Sequence, residues 1–348
     1  MKAVIADGQN GVEVISDAPK PTPEKGEFLG RVIRVAFNPI DWKTLYNASI
    51  EKGTVGGTDF VAVVEDVGEG VDRSKYIGAT VSGWAPGPLD GSNAAWREYI
   101  TLDVNLVYFV PKNITPSQAA TLPLTFTTAS QGLNQYLGLP LPPTDGSKNS
   151  AQQKWVLVWS GSSSVGQYVV QLAHHAGYKV IATCSPHNFD WIKKLGADFT
   201  VDYHDPNVVE IIKKATDDSV FYGFDAASFP ETSTLAVKAF SSKVKDGKLI
   251  NILSSPPSPR SEVKIIGIID YSLFNREFNF FGNKIEPIQA SYDHAVEVYK
   301  KLTGWLQEGV IIPNRVKEFD GGLQAIPKAL REFASGKHSA VKFVVRID

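Results

Sequence analysis

The sequence predicts an α/β protein of two domains, one β-rich and one built on a doubly wound parallel sheet. Three observations carry this reading. The chain has 348 residues, more than one ordinary domain holds. From residue 155 onward, apolar strand-like runs alternate with amphipathic helical ones, the rhythm of βαβ units. Before residue 116 the apolar segments are short, β-branched and divided by Gly, Pro and Asn, as in a small barrel or sandwich.

The elements follow in order. MKAVIAD and GVEVISD flank a Gly/Asn turn and predict a hairpin. Pro19, Pro21 and Pro23 interrupt regular structure. GRVIRVAFN (30–38), VAVVEDVG (61–68), YIGATVSGW (76–84) and WREYITL (96–102) predict further strands. PSQAATLPLTFTTASQGLNQYL reads as two helical pieces broken at Pro123, and residues 139–153 as a polar Pro/Gly/Ser loop. WVLVWS is continuously apolar, as a strand buried on both faces requires. VGQYVVQLAHHAG has helical apolar spacing closed by Gly177. KVIATC, FTVDY, FYGFDAAS and KLINILS are strands; FDWIKKLGA, with Asn188 as its cap, VVEIIKKAT and TSTLAVKAFSS are helices. VKIIGIIDYSL (263–273) reads as a further strand, YDHAVEVYKKLTGWLQEG (292–309) as a long amphipathic helix, and KFVVRI (342–347) as a strand returning to the first domain's sheet.

Composition excludes several classes. Lys and Arg number 35 and Asp and Glu 37, a formal charge of −2, so the basic excess of a generic nucleic-acid binder is absent. A single cysteine, Cys184, forbids an intramolecular disulfide and a Cys-rich structural zinc site. The start, MKAVIADGQNGVEV, lacks an apolar signal region, and no uncharged apolar run approaches the roughly 20 residues of a membrane helix. A cytoplasmic protein with neither a membrane nor a nucleic-acid partner is expected.

The chemistry-bearing motif is the first βα turn of the second domain, Trp159-Ser160-Gly161-Ser162-Ser163-Ser164-Val165-Gly166. Against GxGxxG, Gly161 and Gly166 take the outer places and Ser163 the middle one. Free N–H groups and the positive end of the following helix suit a pyrophosphate there. The second strand then ends in Thr183, Cys184, Ser185, Pro186, His187 and Asn188. No carboxylate stands there to bind a ribose 2′-OH; Ser185, His187 and Asn188 are instead donors for a 2′-phosphate, which favours NADPH over NADH. Tyr203 either flanks the adenine or is an ordinary surface tyrosine. Leu253, near the end of the KLINILS segment, completes the expected cofactor contacts.

This order of parts resembles the zinc-free, quinone oxidoreductase-like members of the medium-chain dehydrogenase/reductase superfamily. Three segments are similar to the fungal trans-acting enoyl reductase branch: Asn38-Pro39-Ile40-Asp41-Trp42-Lys43, Leu122-Pro123 with Thr127-Thr128-Ala129, and Ala182 through Asp190. The resemblance implies a GroES-like catalytic domain over 1–125 and 286–348 and a Rossmann domain over 126–285. Where the zinc alcohol dehydrogenases of the superfamily carry a catalytic Cys, this chain has Asn38 to Asp41. Where they carry Gly-His-Glu it has Gly57-Thr58-Asp59, and residues 83–96 replace their Cys-rich lobe. No metal site is therefore expected.

The resemblance implies that Lys43 holds the nicotinamide ribose and assists proton delivery, and that Thr128 lies near the nicotinamide. Asn38 and Tyr46 are expected as further polar groups. The resulting expectation is an NADPH-dependent, zinc-independent reductase of activated C=C bonds in small enone, enoyl or quinone substrates, acting as a monomer or homodimer. Reduction of an aldehyde or ketone carbonyl, and NADPH binding without catalysis, remain open alternatives on the sequence.

Overall fold

The computed structural model of the chain describes residues 1–47, 50–89, 93–145, 149, 154–253, 256–280 and 282–347, with the backbone alone at Tyr46 and Asn47. It divides into two compact units. One comprises residues 1–124, 271–303 and the chain from Pro313 onward; the other comprises Thr125–Asp270 and Gly304–Ile312.

In the first unit, β1 (Ala3–Ala6) and β2 (Val12–Ile15) form the antiparallel pair, Ala3 opposite Ile15. β3 (Glu27–Ala36), β4 (Asp59–Val67), β5 (Thr80–Trp84), β6 (Tyr99–Asp103) and β7 (Val107–Phe109) build the larger sheet, with β6 paired to β3. Between β3 and β4 runs the helix α1 (Pro39–Asn47). Pro39 opens it, a position where proline's missing N–H costs nothing and its fixed φ suits a helix.

The second unit is a parallel sheet of β8 (Trp155–Trp159), β9 (Lys179–Thr183), β10 (Phe199–Val201), β11 (Val220–Asp225), β12 (Gly247–Asn251) and β13 (Val263–Gly267). Its spatial order is β10-β9-β8-β11-β12-β13. Numbered within the unit this is 3-2-1-4-5-6, the doubly wound order in which the switch point falls between the first and fourth strands, β8 and β11. Helices α2 (Ser164–His175), α3 (Phe189–Lys194), α4 (Val208–Ala215) and α5 (Pro230–Lys238) connect the strands. Leu157, Trp159, Ile181, Val201, Phe240 and Leu249 are among the buried side chains of its core. Asn188 makes no side-chain cap on α3, contrary to the sequence expectation; its amide faces the His187 ring instead. The apolar run from 263 is a strand only to Gly267 and forms the sheet edge.

The longer stretch of the second unit runs to Asp270 and the unit takes in Gly304–Ile312 as well, whereas the resemblance implied 126–285. An antiparallel pair follows in the first unit, β14 (Phe278–Phe280) and β15 (Asn283–Ile285). Tyr271 packs on Phe278 and on Trp84 of β5, at ring-centroid separations of 5.3 and 5.1 Å, so this hairpin shares the first unit's aromatic core. The chain then adds the parallel pair β16 (Arg315–Phe319) and β17 (Val341–Arg346). β17 closes antiparallel against β3, Val345 opposite Val35, which places Lys342 beside the end of β3.

Candidate active site

The turn after β8 is shaped by close backbone approach. Gly161 donates its N–H to the Thr183 carbonyl at 2.8 Å, and a Cβ on Gly161 would stand 2.8 Å from that of Ala182. A Cβ on Gly166 would stand 2.2 Å from the Ser160 carbonyl oxygen, so no larger residue fits without moving the turn. Ser163, at the place of the middle glycine, has an ordinary φ of −66°. Its hydroxyl oxygen accepts the Gly166 N–H at 3.0 Å and caps α2. Ser164 and Val165 occupy the first turn, where amide groups have no carbonyl four residues back. Ser162, Ser163 and Ser164 are half-buried, and Val165 and Gly166 are buried. Six expected contacts thus sit on one turn at the switch point, an arrangement suited to an anion.

The end of β9 lies beside that turn, since Ser160 N–H donates to the Thr183 hydroxyl at 3.0 Å. Ser185 is half-buried and His187 exposed, but Asn188 is turned inward. No carboxylate occurs from 183 to 189. Asp202, one residue past β10, is an acid that sequence reasoning passed over. It lies near Cys184 and is held by His204, whose backbone N–H and ring both meet its Oδ1 at 3.0 Å. That hydrogen bonding draws the Asp202 carboxyl below its ordinary range. Burial pushes the Cys184 thiol up to about 12, so it is a packing residue rather than a nucleophile. Tyr203 exposes its ring, with the His204 ring 4.0 Å away centroid to centroid.

Leu253 is half exposed and is set by a hydrogen-bond chain. Its N–H donates to Asn251 Oδ1 at 3.0 Å; Asn251 donates to Ser233, and Ser233 to the buried Asp225 carboxylate. Asp225 also accepts from Ala227 N–H, Ser228 N–H and the Thr232 hydroxyl. Burial raises its pKa against those four bonds. Thr128 is buried, and its hydroxyl donates to Asp270 Oδ2 at 3.2 Å, beside Thr127 at 2.5 Å. Asp270 was not anticipated from the sequence; the signal is a lone acid in the apolar run IIDYSL.

In the first unit, α1 carries Lys43 and Tyr46; the Tyr46 side chain falls outside the described residues. Lys43 is half-buried and its ammonium stands 5.9 Å from the Trp42 ring centroid. Burial lowers its pKa. Asn38, expected from the sequence as a further polar group of the site, directly precedes α1. It is 1% exposed, and its Nδ2 donates to Thr58 Oγ1 at 2.9 Å and to Asp59 Oδ2 at 2.8 Å. Its Oδ1 accepts from the buried Lys342 ammonium, which also lies 3.0 Å from Asp59 Oδ2. Asp41 accepts the Asn38 backbone N–H at 2.7 Å and the Thr58 hydroxyl at 3.1 Å. Burial, reinforced by Asp59 and opposed by these bonds and Lys342, pushes the Asp41 carboxyl up to about 7.

These residues stand where the resemblance places zinc ligands, and they do not fit the metal. The set offers neither thiolate nor imidazole, and Asp59 is bound to an ammonium. Among the described residues no cluster of three His, Cys, Asp or Glu side chains is placed to hold a metal ion. Lys342 was missed in the sequence; a lysine inside the apolar strand VKFVV is the signal.

Residues 164–252 match the family model described as zinc-binding dehydrogenase. A trans-enoyl reductase of Alternaria alternata, ACTTS2, is 33% identical over 349 residues, covering 100% of this chain and 99% of that protein. The trans-enoyl reductase TOXD of Cochliobolus carbonum is 32% identical over 70% of this chain and 80% of its own length. Among solved structures, an alcohol dehydrogenase superfamily protein from Novosphingobium aromaticivorans matches with a TM-score of 0.81 at 20% identity, covering 100% of both chains. The CurK enoyl reductase matches with a TM-score of 0.78 at 21% identity over 100% of this chain and 99% of its own. These two likenesses are likenesses of fold.

Proposed function

The chain belongs to the medium-chain dehydrogenase/reductase family, in the branch of the fungal trans-enoyl reductases, and on that premise we propose that it is an NADPH-dependent reductase of activated C=C bonds that needs no zinc. The carrying observation is the Ser160–Gly166 turn at the switch point of a 3-2-1-4-5-6 sheet, with its serine-capped helix and closely packed glycines. When bound, NADPH supplies a hydride. The amides of Ser162 and Val165 would hold the pyrophosphate, and the Ser163 hydroxyl, whose oxygen accepts the Gly166 N–H, would donate to a phosphate oxygen. Ser185 and His187 would hold the 2′-phosphate on a turn free of carboxylates. The exposed ring of Tyr203 would flank the adenine, and Leu253 would add an apolar contact to the cofactor.

Beside the hydride that the cofactor would supply at the β-carbon, reduction of an α,β-unsaturated substrate requires a proton at the α-carbon. Lys43 is the assigned source: a desolvated ammonium releases its proton more readily than a solvated one. Thr128 is aimed by Asp270. The Asn38–Thr58–Asp59 set, already holding an ammonium, takes no part as a metal site. The test is NADPH consumption against matched panels of enoyl thioesters, enones, quinones and aldehydes, with NADH in parallel. Turnover of the unsaturated compounds supports the reading. Turnover of aldehydes alone would convert it to carbonyl reduction, and tight NADPH binding without turnover to a binding protein.

A further inference from the structure

The cluster around Lys342 is a built arrangement that the reaction as described leaves without a role. Five side chains from separate stretches of the first unit meet there: Asn38, Asp41, Thr58, Asp59 and Lys342, each no more than 2% exposed. Burying an ammonium and two carboxylates is costly unless each is paired. Here the ammonium is paired twice, with Asp59 and with Asn38 Oδ1, and Asp59 Oδ1 further accepts the Leu124 N–H at 2.9 Å. An apolar trio of the same volume would hold the fold at less cost, so the polar set calls for a reason of position.

That reason lies at the start of α1. A residue just before a helix ordinarily uses its side chain to cap the first turn. Asn38 does not: its amide is spent on Thr58, Asp59 and Lys342. The helix start is closed from the other side, by Asp41 accepting the Asn38 N–H, one half of a capping box. The amide's orientation is also dictated, since an ammonium must face its oxygen and a carboxylate its NH2 group. Asn38 is thereby pinned on one side to β4 and on the other to β17, and α1 begins from it.

We propose that Lys342 is a positioning residue: its buried ammonium locks Asn38 and Asp59 together, fixes the first turn of α1, and so sets the place of Lys43 two residues beyond Asp41. The link to Lys43 rests on the proposed function; the control of α1 does not.

The test uses the full chain and two variants, Lys342→Met and Lys342→Met with Asp59→Asn, the second removing both partners of the ion pair so that Asp59 is not left as a charge without its cation. Hydrogen exchange by mass spectrometry reads α1 directly. In the double variant, which spares the protein the cost of a broken ion pair, exchange of the 41–47 amides is expected to rise by about tenfold or more beyond any rise in β4 and β5; the single variant adds to this the general rise that its lower stability brings. A uniform rise across the first unit of the double variant would show a merely structural role and overturn the proposal, as would wild-type exchange at α1 in either folded variant. Turnover of NADPH with an enoyl substrate adds the second arm. If Lys342 acts through Lys43, the Lys342→Met change lowers kcat at an unchanged NADPH affinity, and causes no further loss once Lys43 is alanine. A further loss in that background would overturn the link. Wild-type kinetics for Lys43→Ala alone would sink the role given to Lys43 while leaving the exchange result to decide the control of α1.

Discussion

Lys342 Nζ lies 3.0 Å from Asp59 Oδ2, and the two side chains are 2% and 0% exposed. A pair removed this completely from water is held by its geometry, and removing one partner leaves the other charge stranded. Lys342→Met should therefore destabilise the protein by about 3–5 kcal/mol, and Asp59→Asn in the same chain should recover much of that. Urea unfolding of the two variants and the wild type measures it. Equal losses in the single and double variants would show that the charge pairing is not what matters.

The carboxyl of Asp41, pushed up to about 7 by burial, makes stability depend on pH with a definite sign. Its folded pKa lies above its ordinary 3.8, so between these values the folded state binds the extra proton. Stability is accordingly greatest at the acid end of that window and declines as pH rises through about 7, by roughly 3–5 kcal/mol in all. Asp59 and Lys342 act on the same carboxyl, the first raising its pKa and the second lowering it. Asp41→Asn should flatten the decline, which unfolding free energies compared between wild type and variant from pH 5 to pH 8 would reveal; parallel curves would contradict it.

Lys43 is half-buried, and burial lowers its pKa below the ordinary 10.5. As a proton donor it must be an ammonium, so kcat should fall on the alkaline side at a pH below that value. Lys43→Ala should lower kcat by about 10²–10⁴-fold and abolish that limb of the pH profile. An alanine variant that keeps the alkaline limb would assign it to another group.

On the proposed function, cofactor choice is set at the turn after β9. Ser185→Asp should bring a carboxylate against the 2′-phosphate and shift the NADPH/NADH preference by at least about tenfold toward NADH. Asp202→Asn, which removes the acid near Cys184, should move it the opposite way. Dissociation constants for both coenzymes, by calorimetry, check the pair; an unmoved ratio in both would displace the 2′-phosphate from this turn.

Gly166→Ala would put a methyl 2.2 Å from the Ser160 carbonyl oxygen. The turn must open to admit it, so NADPH affinity should drop by about tenfold or more while the rest of the second unit keeps its fold. Circular dichroism with a binding titration separates the two effects. Wild-type affinity would contradict the close packing as the reason for this glycine.

Much of this was legible in the chain because it rests on local chemistry. The Ser160–Gly166 turn is readable since a tight βα turn onto a helix N-terminus needs small residues in sequence. The strands β8 and β9 are readable since strands covered on both faces must be continuously apolar. What escaped depends on pairing across long separations. Lys342 meets Asn38 only because β17 lies antiparallel to β3, a register that no local pattern reports. The same contact turned Asn38 from an expected ligand group into a buried anchor. Asp270 reaches Thr127 and Thr128 across 143 and 142 residues. The run 263–273 reads as one apolar strand, but the strand stops at Gly267, and Tyr271 packs on Trp84 of the first unit, a long-range contact that no local pattern reports.

The most direct test is a single assay: the rate of NADPH oxidation by the metal-stripped protein with an α,β-unsaturated enoyl thioester, analysed for the saturated product. Turnover is expected that added zinc leaves unchanged and that NADH supports at least about tenfold less well. Turnover appearing only when zinc is restored, or NADH serving equally, would contradict it.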